Sequence, residues 1–187
     1  MVLFMIRFGL ALTLFVAALA GCGDPVSIRA QFEIVEDTVT VFALTGTPVI
    51  APAALSTLRH EAVRIETTRD FDIVFDIDGT GRAVLYPVQL VGGSPGSTGI
   101  QPATQSFDAI EEAPRTGYQR DSAVVLDVGD IVIVEAEPLF CLSTIQPRIY
   151  SKLMIDAIDL ATRSVRVRLV VDPNCGFRSF LEGIPVR

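Results

Sequence analysis

Histidine and lysine are nearly missing: the 187 residues contain one of each, His60 and Lys152, and basic side chains are outnumbered 15 to 22 by acidic ones. An acidic chain with no basic stripe interleaved with aromatics repels phosphate, so nucleic acid is not an expected partner. A metal pair is the alternative use of cysteines to a disulfide, and against it stand the single histidine and the lack of any Cys-x-x-Cys spacing among the three cysteines. No internal repeat is present. No apolar pattern of helical period persists for three turns, which argues against an α-layer.

What the chain does contain begins with an apolar run from Phe8 to Ala20, the length of the h-region of an export signal and too short to span a bilayer. Arg7 is the only charge before Asp24, and either Met1 or Met5 is compatible with the start of translation. The run closes on Leu19-Ala20-Gly21-Cys22, which resembles the lipobox of bacterial lipoproteins. That resemblance implies cleavage between Gly21 and Cys22, a diacylglycerol (palmitate-bearing) anchor on the Cys22 thiol, and acylation of the new amino terminus. Two or three buried acyl chains hold a protein to a membrane far more firmly than one. The alternative is an ordinary secretory signal followed by a chance cysteine. The expected organisation is a signal peptide over residues 1–21, a lipidated Cys and short tether over 22–25, and one domain over 26–187.

Location follows from the same motif. In typical two-membrane bacteria an Asp directly after the lipidated Cys retains lipoproteins in the inner membrane, and here that position is Gly23. The expected site is therefore the outer membrane, facing the periplasm or the cell surface. The membrane, reached through Cys22, is the one partner the sequence names; no cofactor is expected.

Loss of Arg7 with the signal leaves 14 basic against 22 acidic side chains on the remaining 166 residues, a formal charge of −8. That length suits one domain with a full core. Lipidation consumes Cys22 and leaves Cys141 and Cys175 as an even pair in a compartment where disulfides persist, so these two are expected to be bonded.

The chain then alternates. Ile28, Ala30, Phe32 and Ile34 fall on one side and Arg29, Gln31 and Glu33 on the other, a half-buried strand. Glu36-Asp37 is a plausible turn, which makes 28–44 a hairpin. Thr45 to Ala54 reads as loop, Leu55 to His60 as a helical turn, and Ala62 to Thr67 as a strand. A second hairpin joins Phe71–Ile77 to Arg82–Val91 through Asp78-Gly79-Thr80-Gly81, residues that tolerate positive φ. In it Phe71, Ile73, Phe75 and Ile77 form the inward row, and Asp72 and Asp76 face out. Gly92 to Thr104 has the composition of a mobile loop, and Ser106 to Glu112 of a short helix capped by Ser106. Strands are expected at Ser122–Asp127, Asp130–Glu137, Ile149–Ile155 and Ser164–Val171, with Asp156–Thr162 a connection. The turn at Pro173-Asn174-Cys175-Gly176 would pin the C-terminal end to Cys141. About nine short strands with one disulfide predict an all-β fold, an antiparallel β-sandwich rather than a closed barrel. Tyr150-Ser151-Lys152-Leu153 and the Pro-Asn-Cys-Gly turn resemble features of secreted β-rich lipoproteins that carry no assigned activity.

Three patterns could carry chemistry. Ile73 to Thr80, an apolar strand ending in Asp76-Ile77-Asp78-Gly79-Thr80, resembles the first motif of haloacid-dehalogenase-type phosphatases. The resemblance implies Asp76 as nucleophile and Mg²⁺ ligand and Asp78 as general acid and base, with Lys152 and a later acidic pair, Asp156 and Asp159, completing the site. A hairpin turn is the preferred use of these residues, since that family has a parallel sheet and the chain here returns as a strand. Gly92-Gly93-Ser94-Pro95-Gly96 matches the G-x-S-x-G of a hydrolase elbow, but Pro95 opens no helix and His60 precedes the serine. Asp70, Asp72, Asp76 and Asp78 are weak candidates for a Ca²⁺ ion, which wants six or more oxygens; their spacing departs from the helical calcium loop. No catalytic residue is assigned. The functional expectation is a lipid-anchored, non-catalytic binding or interaction module, with 92–104 as its contact loop; the alternatives are an Mg²⁺-dependent phosphatase-like or esterase-type enzyme and a Ca²⁺-binding envelope domain.

Overall fold

The computed structural model describes residues 29–92, 97–142 and 144–185. Ten strands form two five-stranded antiparallel sheets, and no α-helix occurs among the described residues. The first sheet is ordered β1 (Val35–Phe42), β10 (Ser164–Asp172), β9 (Ile149–Asp159), β8 (Ile131–Ala136), β6 (Gly99–Ala103). The second is ordered β3 (Glu61–Val63), β2 (Ala54–Ser56), β4 (Ile73–Ile77), β5 (Ala83–Pro87), β7 (Val124–Leu126). The expected sandwich is thus present, with ten strands instead of about nine.

The alternation of the strands builds the core between the sheets. Val39 and Val41, Val132 and Val134, Leu153 and Ile155, and Val165, Val167 and Leu169 project from one sheet onto Leu55, Ile73, Phe75, Ile77 and Leu85 of the other. Period two puts each of these sets on one face, which is what a sandwich needs. Phe71 departs from the expected inward row. It lies ahead of β4 and packs with Val74 and Val88 on the outer side of the second sheet.

Two outer faces are also covered. Over the first sheet, Phe107, Ile110, Ala113 and Phe180 pack on Ile131, Ile133, Tyr150 and Val170. The covering chain comes from 104–123 and 173–185, tied together by a bridge between Glu112 and Ser179. This third layer explains why all six residues of β8 are buried.

Several local expectations are corrected. Glu36 and Asp37 are not a turn but exposed positions within β1, an edge strand with solvent on one side. Leu55 belongs to β2, a three-residue strand paired on both sides, and not to a helical turn. The strand expected over Ala62 to Thr67 ends at Val63. Gly99–Ala103, expected as mobile loop, is edge strand β6, where Pro102 is tolerated because an edge leaves its missing N–H without consequence. Phe107–Ala109 forms only a single 3₁₀ turn, and the Ser106 side chain makes no cap hydrogen bond. The strand after Arg148 runs on to Asp159, through a bulge opposite Arg166 and Val167 that skips Asp156.

The two ends of the sandwich differ. At one end lie the chain's first described residues, the 137–148 connection and the 173–185 segment; at the other lie the 78–82 turn, 128–130 and 160–163. Cys141 and Cys175 are bonded across the first end, with Cα atoms 5.7 Å apart. Around them Ala136, Ile149 and Leu58 close a small apolar cluster.

Candidate functional site

The Asp-x-Asp segment stands at the second end of the sandwich. Gly81, at φ +87°, follows a tight turn in which its N–H donates to the Asp78 carbonyl at 3.1 Å. Asp78 caps this turn. Its carboxylate accepts from the Thr80 N–H and hydroxyl at 2.8 and 2.6 Å and from Arg82 Nη2 at 3.0 Å, and the Thr80 bonds in particular hold its pKa well below the usual carboxylate range. Asp76 turns elsewhere. It accepts from the Thr45 hydroxyl at 3.0 Å and from Arg163 Nη2 at 3.3 Å, while Arg163 also donates to the carbonyls of Thr45 and Ile77. These contacts tie the end of β1 and the β9–β10 turn to β4. Lys152 lies under the third layer on the outer face of the other sheet, so both sheets separate it from Asp76 and Asp78.

The four candidate calcium ligands disperse in the same way. Asp70 pairs with Arg59 at 3.3 Å, and Asp72 accepts from the N–H and hydroxyl of Thr57 at 2.8 and 2.6 Å. Burial pushes the Asp72 carboxyl up in pKa, against the opposing pull of Thr57. The outward row of β4 is therefore covered, not solvated as alternation alone suggests. Among the described residues no three His, Cys, Asp or Glu side chains are grouped to hold a metal ion.

The strongest electrostatic feature is one that the sequence reading missed. Glu135, inside the otherwise apolar run Ile131-Val132-Ile133-Val134, is 1% exposed beneath the third layer. Arg120 and Arg148 both ion-pair with its Oε1, the latter at 2.8 Å, and the Tyr150 hydroxyl donates to Oε2 at 3.0 Å. Arg148 reaches on to Glu137 at 3.0 Å. Glu135 and Tyr150 are register partners on β8 and β9, so the strand pairing itself sets their geometry. Burial and then the neighbouring carboxylate push the Tyr150 phenol up to about 12. A charge within a fully apolar strand was the available signal.

Lys152 is the second buried charge on this face. Its Nζ donates to the carbonyls of Phe107 and Ile110 at 2.7 and 3.0 Å and lies 4.5 Å from the Phe107 ring centre. Burial lowers its pKa, with Asp108 opposing. A lysine so occupied fastens the cover and offers no nucleophile.

His60 sits in a turn at φ +53° beside Arg59, which pairs with Glu61 at 3.1 Å; burial lowers the pKa of its half-buried ring, with Asp37 opposing. Gly92 ends the 3₁₀ turn Val88–Val91. Gly93, Ser94, Pro95 and Gly96 lie outside the described residues, as do Cys22 and the whole lipobox. Of the contact loop expected over 92–104, Gly99–Ala103 is instead strand β6.

One of the surface depressions among the described residues is a polar groove along the third layer, about 550 Å³, lined by Glu111, Glu112, Arg115, Gln146, Arg178 and Ser179 among others. Its volume falls within the range of roughly 300–1,000 Å³ typical of small-ligand sites, but its charged lining suits a polar ligand or an extended peptide better than an apolar one. No protein-family model, curated protein or solved structure matches the chain.

Proposed function

We propose that this protein is a lipid-anchored envelope protein of a two-membrane bacterium, held at the outer membrane through Cys22, where its β-sandwich serves as a non-catalytic interaction module. The observation that carries the reading is the division of labour among its three cysteines: Cys22 closes a lipobox, and the other two form a bridge of the kind that persists in oxidising compartments. The local engagement of Asp76, Asp78 and Lys152 supports a binding role over phosphoryl transfer, since none of the three is left free for a substrate. The charged groove at Glu111 and Arg115, with Arg178 held beneath it by Glu112 and the Ala113 carbonyl, is the surface offered to a partner.

Growth with labelled palmitate tests the anchor. Label should enter the wild-type protein and be lost in Cys22→Ser; label retained by that variant, or a free thiol at Cys22 in the mature protein, overturns it. Density-gradient fractionation tests the location, and sedimentation with inner-membrane markers would refute it. For activity, the purified protein with Mg²⁺ should not hydrolyse an aryl phosphate. Turnover that Asp76→Asn abolishes would replace the binding reading with the phosphatase one.

A further inference from the structure

The end of the sandwich nearest the tether is built differently from the opposite end. Pro138 to Pro147 carries no charged residue. Within it Leu139, Phe140, Leu142 and Ile145 are exposed, and Phe32 joins them, at 48 to 75% of full exposure. Phe32 and Phe140 line one shallow, mostly apolar depression with Val35, Leu58 and Pro173, and Gln31 and Glu33 stand at it as well. At the other end Val49, Ile50, Val128 and Leu160 are exposed too, but there Asp78, Asp127, Asp130 and Asp159 stand among them.

The apolar end is also fixed in place. The disulfide at Cys141 holds Leu139, Phe140 and Leu142 beside Cys175, and Asn174 next to it grips the backbone of Gln31 and Phe32. Six residues, 23–28, separate Cys22 from Arg29. Fully extended, the chain from Cys22 to Arg29 spans at most about 25 Å. The eleven residues of β9 measure roughly 35 Å along the sandwich. A lipid on Cys22 therefore brings the bilayer to the end where Phe32 and Phe140 lie.

We infer that this end is a membrane-contact face: Phe32, Leu139, Phe140, Leu142 and Ile145 enter the lipid interface beside the anchor, and the carboxylate-rich 78–82, 127–130 and 159–160 turns point away from it. The inference rests on the lipoprotein reading above. Lipid is the fitting occupant because the face is mainly apolar, uncharged from Pro138 to Pro147, and adjacent to the tether, with Arg29 and Glu33 as the charges beside Phe32. It fixes orientation as well as attachment, since acyl chains alone leave a domain free to tumble on its linker.

The chain has no tryptophan, so single reporters can be placed without background. The full-length acylated protein carrying Phe140→Trp, Phe32→Trp or Val128→Trp is reconstituted into phosphatidylethanolamine vesicles with brominated acyl chains, and palmitate incorporation is measured on the same preparations. A face seated roughly 5–10 Å into the interface should lose about half its emission at positions 140 and 32, with little change at 128. Equal quenching at all three positions, or none at any, overturns the contact face. Palmitate incorporation reports separately on the anchor, so loss of the label sinks the lipoprotein reading while selective quenching still supports the face.

Discussion

Asn174 holds Phe32 by both of its backbone groups, with Nδ2 donating to the carbonyl at 2.8 Å and Oδ1 accepting from the N–H at 3.0 Å. The same carboxamide accepts from the Gln31 N–H at 2.7 Å and is itself steadied by Asp172. One side chain thus sets the course of the polypeptide at Gln31 and Phe32. Asn174→Ala strands these partly buried groups, at a cost of about 1–3 kcal/mol. Hydrogen exchange at Gln31 and Phe32 should accelerate selectively; unchanged exchange there would show the clamp to be idle.

Asp72 gives stability a pH dependence of definite sign. Burial raises its folded pKa, so the folded state keeps a proton that the unfolded chain releases near pH 4, and stability is lost as pH rises through that window. Asp172, also raised by burial, acts in the same direction. Asp78 and Asp159, lowered by hydrogen bonds from Thr80 and Thr162, act oppositely and lose their contribution as pH falls below the ordinary carboxyl range. Asp72→Asn should therefore compare better with wild type at pH 7 than at pH 4. Parallel stability curves from urea unfolding at several pH values would contradict this.

Glu135 carries the cover. Glu135→Gln leaves Arg120 and Arg148 facing a neutral group, and because both arginines are about one-third exposed the loss is discounted to roughly 2–4 kcal/mol from the value for fully buried pairs. Double-mutant cycles with Tyr150→Phe should show coupling, since the phenol donates to the same carboxylate. Additive losses would mean that the two act separately.

The disulfide links positions 34 apart, and loop entropy alone assigns it about 4 kcal/mol. Replacing both Cys141 and Cys175 with serine should lower the melting temperature by on the order of 10 °C. A shift below one or two degrees would place the stabilisation elsewhere at that end.

Where strands are long and alternate cleanly, as in Ser164–Asp172 with Val165, Val167 and Leu169 inward, the pattern is plain in the residues. The bulge at Asp156 shows how that legibility fails: it changes the parity, so Ile155 and Ile158 face the same core although three positions apart, and the alternation breaks where the strand merely slips. Pro102 and Gly99 hid β6, because edge strands obey looser composition rules than central ones. The third layer was illegible for another reason. Its anchors, Glu135 and Lys152, are charges set in mainly apolar strands, a signal that marks them out but does not show which distant segment covers them. Asp78 was legible as turn chemistry, whereas Asp76, expected beside it at a solvated tip, lies within β4 and is held by Thr45 and Arg163.

That covering layer has a consequence in time. It fastens to Glu135 beside Tyr150 and to Lys152 between Ile133 and Val170, pairings that exist only once β8, β9 and β10 are in register. Contacts made after the rate-limiting barrier change the rate of opening and leave the rate of closing alone. Stopped-flow measurements on Glu135→Gln should then find folding as fast as in the wild type and the native lifetime shortened by the whole of the lost free energy. The polar fasteners act as a brake on opening, holding the cover shut over the first sheet between rare excursions.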